Sequence, residues 1–561
     1  MDRRRQNIVN FFHAWSAGSL LFFAGIILFS SAGRDDVFKS LWPAWTLSEF
    51  GQIVNYNGEV LEQSSSLLQV LLVGGLHRVL GGDIVLLGGL LAVLCGMGSV
   101  MFSQWLAQEV GLSTARMRWT TWLVAASSFV AYWSWGGLEA SLAALCFLLF
   151  TVAVLRFVRR GGWPGFLLAS AAFLLVRPEN GFIAVFALGG LGIATWWRPS
   201  PHWSGRRIRT ALLVVGGMAI LLALVRWGAF GALVPHPVLA KAGSWGLGKV
   251  YRGAAYWFWQ MWRHPEFLVL NLLFLAGIIA AMRRRALEKL WLPLALLLSA
   301  GAFVVFSGGD WMENGRFVVP MMPLFIVLTL ALWERGGRRG VRWIPILFFL
   351  VEGFGLVHTA RFHSTGQPLG YTTGRAKGGA GYSFFETANR IHMRDLLVCR
   401  ALERTVGNIY REKQAPVTLL SQQAGMVIFH TAQAHFGRID FMDLVALSTH
   451  DFLVCPVTRK RGATYGGLNM DLFYLFADRE RLAAECDFVL PDIIFDLDNE
   501  RREKELLLTA NGYTLIYRQT GELRSWLPAL PGLYVGAGQF IAVRDEWFAR
   551  INFPFQEPLF E

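Results

Sequence analysis

Charge is scarce in this chain: Asp, Glu, Lys and Arg together make up 16% of its 561 residues, against 54% hydrophobic residues. That balance excludes an ordinary soluble domain and a disordered chain, and reads as a multi-spanning membrane protein. Cysteine is scarce too, with five residues at 95, 146, 399, 455 and 486. No pair has zinc-ligand spacing and two lie inside apolar runs. One disulfide among Cys399, Cys455 and Cys486 is compatible with the spacing but not selected by it. Internal repeats and low-complexity tracts are absent, and no run past Val357 is long enough to cross a bilayer. Acidic residues are the rarer sign, 39 against 52 basic ones. The basic surplus falls in short loops between apolar segments, a pattern of topology determinants, so nucleic acid is excluded as a partner.

What is abundant is apolar length. Candidate spans run over 13–31, 84–106, 119–133, 138–156, 163–176, 181–197, 210–229, 266–282, 290–307, 317–333 and 341–357. The first has flanking charge and no small-residue cleavage site, and reads as a retained helix. A further stretch, 67–80, carries His77 and Arg78. The arginine clusters at 3–5, 116 and 118, 159–160, 206–209, 283–285 and 338–342 alternate correctly as cytoplasmic loops only if 67–80 does not cross. It is then an interfacial or re-entrant helix in a long outer loop, 32–83. The expected topology places the N-terminus inside and the C-terminus on the outer, periplasm-like side.

Beyond 358 the composition turns polar. Val417-Thr-Leu-Leu, Phe488-Val-Leu and Tyr513-Thr-Leu-Ile-Tyr read as buried strands, with helical patterns over 386–403 and 478–485. The expected organisation is a membrane domain over 1–358 and an α/β domain over 359–561 outside the membrane.

The outer face collects the uncommon chemistry. Asp35 and Asp36 follow the first span; two like charges where water gives way to lipid favour proton uptake or a bound cation, and suit a general base. Taken singly, the other outer motifs have local explanations. Arg177-Pro178-Glu179 is a helix end with a local ion pair, and Pro235-His236-Pro237 a stiff turn. Asp310 is a helix cap, Arg316 an interface anchor and Lys241 a snorkelling lysine. None of these local readings explains why carboxylates, cations and a histidine gather at one face. The set suits transfer from a lipid-linked phosphate, with cations holding the phosphate and a carboxylate taking the proton of the incoming hydroxyl.

In order, the motifs resemble a known family. A first span, Asp35-Asp36, Asn55-Tyr-Asn-Gly-Glu59 and Glu62-Gln-Ser-Ser resemble the opening of membrane glycosyltransferases of the GT-C superfamily. Gly137-Leu-Glu139, Arg177-Pro-Glu179, Pro235 to Lys241, Gly308-Gly-Asp-Trp-Met312 with Arg316-Phe317, and Gln423-Ala-Gly425 with Asp443-Leu444 are similar to the mycobacterial terminal arabinofuranosyltransferases and their bacterial relatives. The chain departs from that pattern at Val37-Phe38 for Ala-Tyr, at His236 for Asn, and at Gln63-Ser-Ser for Gly-Tyr-Thr. These departures bear on the sugar more than on the reaction class.

The resemblance implies a GT-C fold of about eleven transmembrane helices. It implies a polyprenyl-phosphate-sugar donor, arabinofuranose as the first expectation, and a cell-envelope glycan or glycoprotein acceptor. Asp35 and Asp36 are then the catalytic carboxylates. Lys241, His236, Arg177 and Arg316 are the donor-phosphate ligands. Asp310, Trp311, Glu179, Asn57 and Glu59 position sugar or acceptor. No cofactor is required by these motifs; a divalent cation shared between Asp310 and the Asp pair is compatible with them. The alternative is a transporter or flippase of lipid-linked sugar, whose mid-membrane charges and inverted repeats the sequence lacks.

Overall fold

The computed structural model describes residues 16–26, 35–198, 202–242, 246–310, 312, 315–336, 343–365, 396–421, 425–444, 455, 472–486, 488–497, 501–519, 539–551 and 553. Within the apolar part, backbone groups facing lipid must be satisfied inside their own segment, which leaves helices as the building unit. They run α1 Ser16–Ile26, α2 Asp35–Phe50, α3 Leu67–Leu80, α4 Ile84–Glu109, α5 Thr114–Ala126, α6 Ser128–Trp133, α7 Ala140–Arg160 and α8 Trp163–Val176. Then follow α9 Asn180–Trp197, α10 Gly205–Phe230, α11 His236–Ala242, α12 Leu247–Arg263, α13 Pro265–Arg283, α14 Trp291–Ser307, α15 Met322–Gly336 and α16 Ile344–Thr365. Among the described residues seven are long and apolar enough to span a bilayer: α4, α7, α9, α10, α13, and α14 and α15 with the 3-10 turns that lead into them. Exposed Phe182, Phe186, Ile193, Leu213, Ile220 and Leu224 cover α9 and α10 on the side away from the bundle, as lipid-facing helices require.

One expected span is interrupted: the run over 119–133 is broken between α5 and α6, where Ser127 leaves helical geometry (φ −62°, ψ 117°). Among the described residues α1, α8 and the apolar part of α16, Ile344–Gly355, are apolar but too short to count with those seven. The outer loop 32–83 is also corrected. It is not a loop with one interfacial helix, because its first part is α2, a helix of 16 residues with Pro43 inside. Asp35 and Asp36 occupy the first turn, where carboxylates complement the helix dipole. Val37, Phe38, Leu41, Trp42 and Ala44 supply a buried face. The proline hid this helix from a reading by pattern.

α3 packs along α2. Ser66 caps it by accepting from the Gln69 N–H, and Gly74 lies on the Ala44 carbonyl, where a Cβ would come within 2.8 Å. His77 Nδ1 lies 2.7 Å from Ser48 Oγ, and Arg78 donates to the Ser48 carbonyl at 3.1 Å. Leu71, Leu72, Leu76, Val79 and Leu80 stay exposed on the opposite side.

The C-terminal part is a five-stranded mixed sheet of β1 Val417–Ser421, β2 Ile439–Asp443, β3 Ile493–Leu497, β4 Tyr513–Gln519 and β5 Gln539–Arg544. Its order is β2-β1-β3-β5-β4, with β1 parallel to β2 and β3, and β5 antiparallel to β3 and β4. The strand expected at Phe488-Val-Leu falls instead at β3, five residues on. α17 Leu396–Lys413 and α18 Met426–Ala434 flank the sheet. Cys455 and Cys486 form a disulfide, and Cys399 is a buried free thiol. Phe429 and Phe436 pack on Trp42 of α2, Phe436 stacks on Phe50 at 5.0 Å, and Phe441 meets Tyr56 edge-on. One hydrophobic cluster thus runs from the helical bundle into the sheet.

Candidate active site

Short connections at one end of the bundle carry the candidate residues, and glycines set how closely they approach. Gly308, in the left-handed region at φ +90°, caps α14 with its N–H on Val304 and Val305 carbonyls. Gly309 follows at φ +75°, and the chain then delivers Asp310. Gly137 (φ +71°) ends the α6–α7 connection with Val37 of α2 against it, so Glu139 at the start of α7 enters beside the head of α2. Arg177 ends α8 and Glu179 opens α9 across Pro178.

These pieces form one buried ionic cluster. Arg177 donates from Nε to Glu179 at 2.5 Å and from Nη1 to Glu139. Arg316 donates from Nε to Asp310 at 2.8 Å. Both guanidiniums stack over the Phe317 ring, at 5.0 and 5.5 Å. Burial would lower the Arg177 pKa, but Glu179 and Glu139 outweigh it and the value ends raised. For Arg316 burial is likewise overcome, by Asp310 first and then by Glu139 and Asp36, so it too is raised. Three carboxylates here face two guanidiniums, so both arginines are firmly held and charged. Arg177 spends both edges on its carboxylates, whereas Arg316 makes no second hydrogen bond among the described residues.

Asp36 lies one turn from Lys39, whose Nζ donates to it at 3.1 Å. Gln63 donates to the Lys39 carbonyl at 3.0 Å, and the neighbouring Glu62 takes two hydrogen bonds from Arg226 Nε, at 2.8 and 3.1 Å. His236 is buried, and its N–H donates to the Glu62 carbonyl at 3.1 Å. The Asp36 and Glu62–Arg226–His236 groups are thereby joined through Lys39 and Gln63.

Not every expected residue joins this set. Asn55 donates to Glu59 at 2.7 Å, which closes the loop on itself. Asn57 accepts from the Phe441 N–H at 2.7 Å and donates to its carbonyl at 3.0 Å, so it lies at the seam with β2. Trp311 and the side chains of Asp35 and Lys241 lie outside the described residues. Among the described residues no group of three or more His, Cys, Asp or Glu converges as a metal site would require.

Lys39, Glu62, Arg226, Glu139 and Tyr256 were not singled out as site residues. Arg226 carried a signal, since an arginine inside an apolar span is costly and needs a partner. Lys39 carried one only once α2 is known to be a helix, because i and i+3 then share a face.

No protein-family model matches the chain, and no curated protein matches it. Solved structures do. The archaeal oligosaccharyltransferase AglB from Archaeoglobus fulgidus, in complex with an inhibitory peptide and a dolichol-phosphate, aligns at TM-score 0.55 and 11% identity, over 94% of this chain and 74% of that one. ArnT from Cupriavidus metallidurans bound to undecaprenyl phosphate aligns at 0.50 and 11% identity, over 95% and 97%. The fold is thus similar to that of GT-C glycosyltransferases, with apolar helices that make this a multi-pass membrane protein. A similarity to the arabinofuranosyltransferase AftD from Mycobacteria, at TM-score 0.48 and 14% identity over 99% of this chain and 40% of that one, says nothing about the sugar.

Proposed function

We propose that the chain is a membrane glycosyltransferase that moves a sugar from a polyprenyl-phosphate donor to a cell-envelope glycan or glycoprotein at the outer, periplasmic face. The observation that carries this reading is the buried cluster of Arg177, Arg316, Glu139, Glu179 and Asp310 beside the acidic head of α2. It lies in a fold similar to that of an enzyme crystallised with undecaprenyl phosphate.

In this reading Asp35 or Asp36 takes the proton of the acceptor hydroxyl, and Lys39, 3.1 Å from the Asp36 carboxylate, orients it for the task. Arg316, Lys241 and His236 face the donor phosphate. Arg177, with both edges occupied, acts on the phosphate through its charge. Asp310, Glu179 and Trp311 orient sugar or acceptor, while Asn57 and Glu59 serve from the rim near β2. Arabinofuranose remains the first sugar to test, on the motif resemblance alone. The topology that goes with this function has eleven crossings, with 1–358 in the membrane and 359–561 as the outer domain. The Cys455–Cys486 disulfide supports an oxidising, extracytoplasmic side for that domain.

The test is transfer of radiolabelled sugar from polyprenyl phosphate to a glycan acceptor by the purified protein. Glycan labelling that is lost in Asp35→Asn or Asp36→Asn supports the reading. Movement of intact lipid-linked sugar across vesicles, with no transfer, supports the transporter instead.

A further inference from the structure

α12 has two unlike sides. Leu247, Tyr251, Phe258 and Trp262 are exposed, whereas Gly253, Tyr256 and Gln260, three and four residues apart, are buried. Two glycines bring the buried side unusually close to the cluster. Gly253 sits directly on the Val305 carbonyl of α14, where a Cβ would overlap the oxygen. Gly309 holds φ +75°, and a Cβ there would come 2.5 Å from Tyr256 Cβ. The ring of Tyr256 therefore rests against the chain one residue before Asp310.

Its hydroxyl is buried beside Asp310, Arg316 and the Phe317 backbone N–H, and its own hydrogen finds no acceptor among the described residues. Beside it, Arg316 binds Asp310 through Nε and makes no other hydrogen bond among the described residues. Two adjacent donors, one of them cationic, thus keep hydrogens uncommitted among the described residues, and such a pair suits an oxygen-rich anion. The next residues of the same helix, Trp257 and Phe258, line an open apolar groove of about 330 Å³ with Phe274, Leu298 and Val305, in which Asn271 is the one polar liner. An anion-seeking head beside an apolar groove fits an amphiphile whose polar group is a phosphate.

We propose that Tyr256 donates its hydroxyl hydrogen to a phosphate oxygen of the lipid donor, alongside Arg316, with the first part of the prenyl chain in the groove between α12, α13 and α14. This rests on the polyprenyl-phosphate reading above and adds to it a substrate-binding residue outside every motif singled out in the sequence.

Binding of undecaprenyl phosphate and of undecaprenol to the purified full-length protein, followed by tryptophan fluorescence, tests it. Tyr256→Phe keeps the ring on Gly309 and so keeps the packing. The parent should prefer undecaprenyl phosphate, and Tyr256→Phe should weaken that binding about tenfold, the usual loss for a hydrogen bond to a charged group, without changing undecaprenol binding. A variant that binds undecaprenyl phosphate as tightly as a discriminating parent overturns the tyrosine assignment alone. A parent that binds both lipids equally overturns the donor reading and this inference with it.

Discussion

At the scale of single residues, the outer face is built from charges that hold one another. Asp36 is the candidate base most fully defined, with Lys39 one turn away. Asp36→Asn should lower transfer about a hundred- to ten-thousandfold, the usual contribution of a positioned base, without moving the thermal unfolding midpoint. Turnover near that of the parent would remove Asp36 from the mechanism. Glu62 and Arg226 make a second, structural argument. Burial raises the Glu62 pKa and Arg226 opposes it only in part. A carboxyl raised in the fold contributes stability that is complete below its ordinary value of 4.5 and is lost as pH climbs through the raised value. The parent should therefore unfold at progressively lower temperature as pH rises above 4.5, and Glu62→Gln/Arg226→Gln should flatten that slope. Arg226→Gln alone leaves a buried carboxylate unpaired and should cost about 3–5 kcal/mol in chemical denaturation.

At the scale of elements, the junction of α13 and α16 stands out. Glu266, at the start of α13, accepts from Ser128 Oγ at 2.5 Å, and His264 Nδ1 lies 3.3 Å away. Gly355 of α16 leaves room for that carboxyl, since a Cβ there would overlap it. Glu352, one turn earlier, is fully buried, faces Glu266 and the Ser128 backbone N–H, and forms no ion pair among the described residues. Two facing carboxylates in a low dielectric repel, so an amide at 352 should be no worse than the acid. Glu352→Gln should hold or raise the unfolding midpoint, whereas Gly355→Ala should cost about 1–3 kcal/mol by forcing α16 off α13. A marked loss in Glu352→Gln would show that the charge itself is needed there.

At the scale of the molecule, the sheet domain is held to the bundle by aromatic packing on α2, the helix that also carries the acidic pair. Phe436→Ala removes the ring stacked on Phe50 and should cost up to about 3 kcal/mol, the lower end for a phenylalanine truncation because Phe436 is only half-buried. Limited proteolysis should then cut between the two parts faster than in the parent; an unchanged rate would mean that the seam does not depend on this ring. The membrane topology has its own test. If α3 lies on the outer surface without crossing, a cysteine at position 82 reacts with an impermeant reagent added from the periplasm. Labelling only from the cytoplasm would reverse the assignment.

The sequence by itself determined the apolar lengths, the alternation of arginine-rich loops and the order of the outer motifs. Insertion in a bilayer depends on hydrophobicity and charge summed along the chain, so those features are visible one segment at a time. The helix α2 was not, because Pro43 interrupts its pattern while packing against α3 and the sheet domain sustains it. Cys455 found Cys486 rather than Cys399 only once the sheet placed them 5.5 Å apart between Cα atoms. The ionic pairings were equally hidden, since Arg177 meets Glu139 across 38 residues and Arg226 meets Glu62 across 164. Which carboxylate meets which guanidinium, and that Tyr256 stands beside them, follows from how closely helices approach at Gly137, Gly253 and Gly309. That distance is a property of packed surfaces in three dimensions, and no pattern along the chain encodes it.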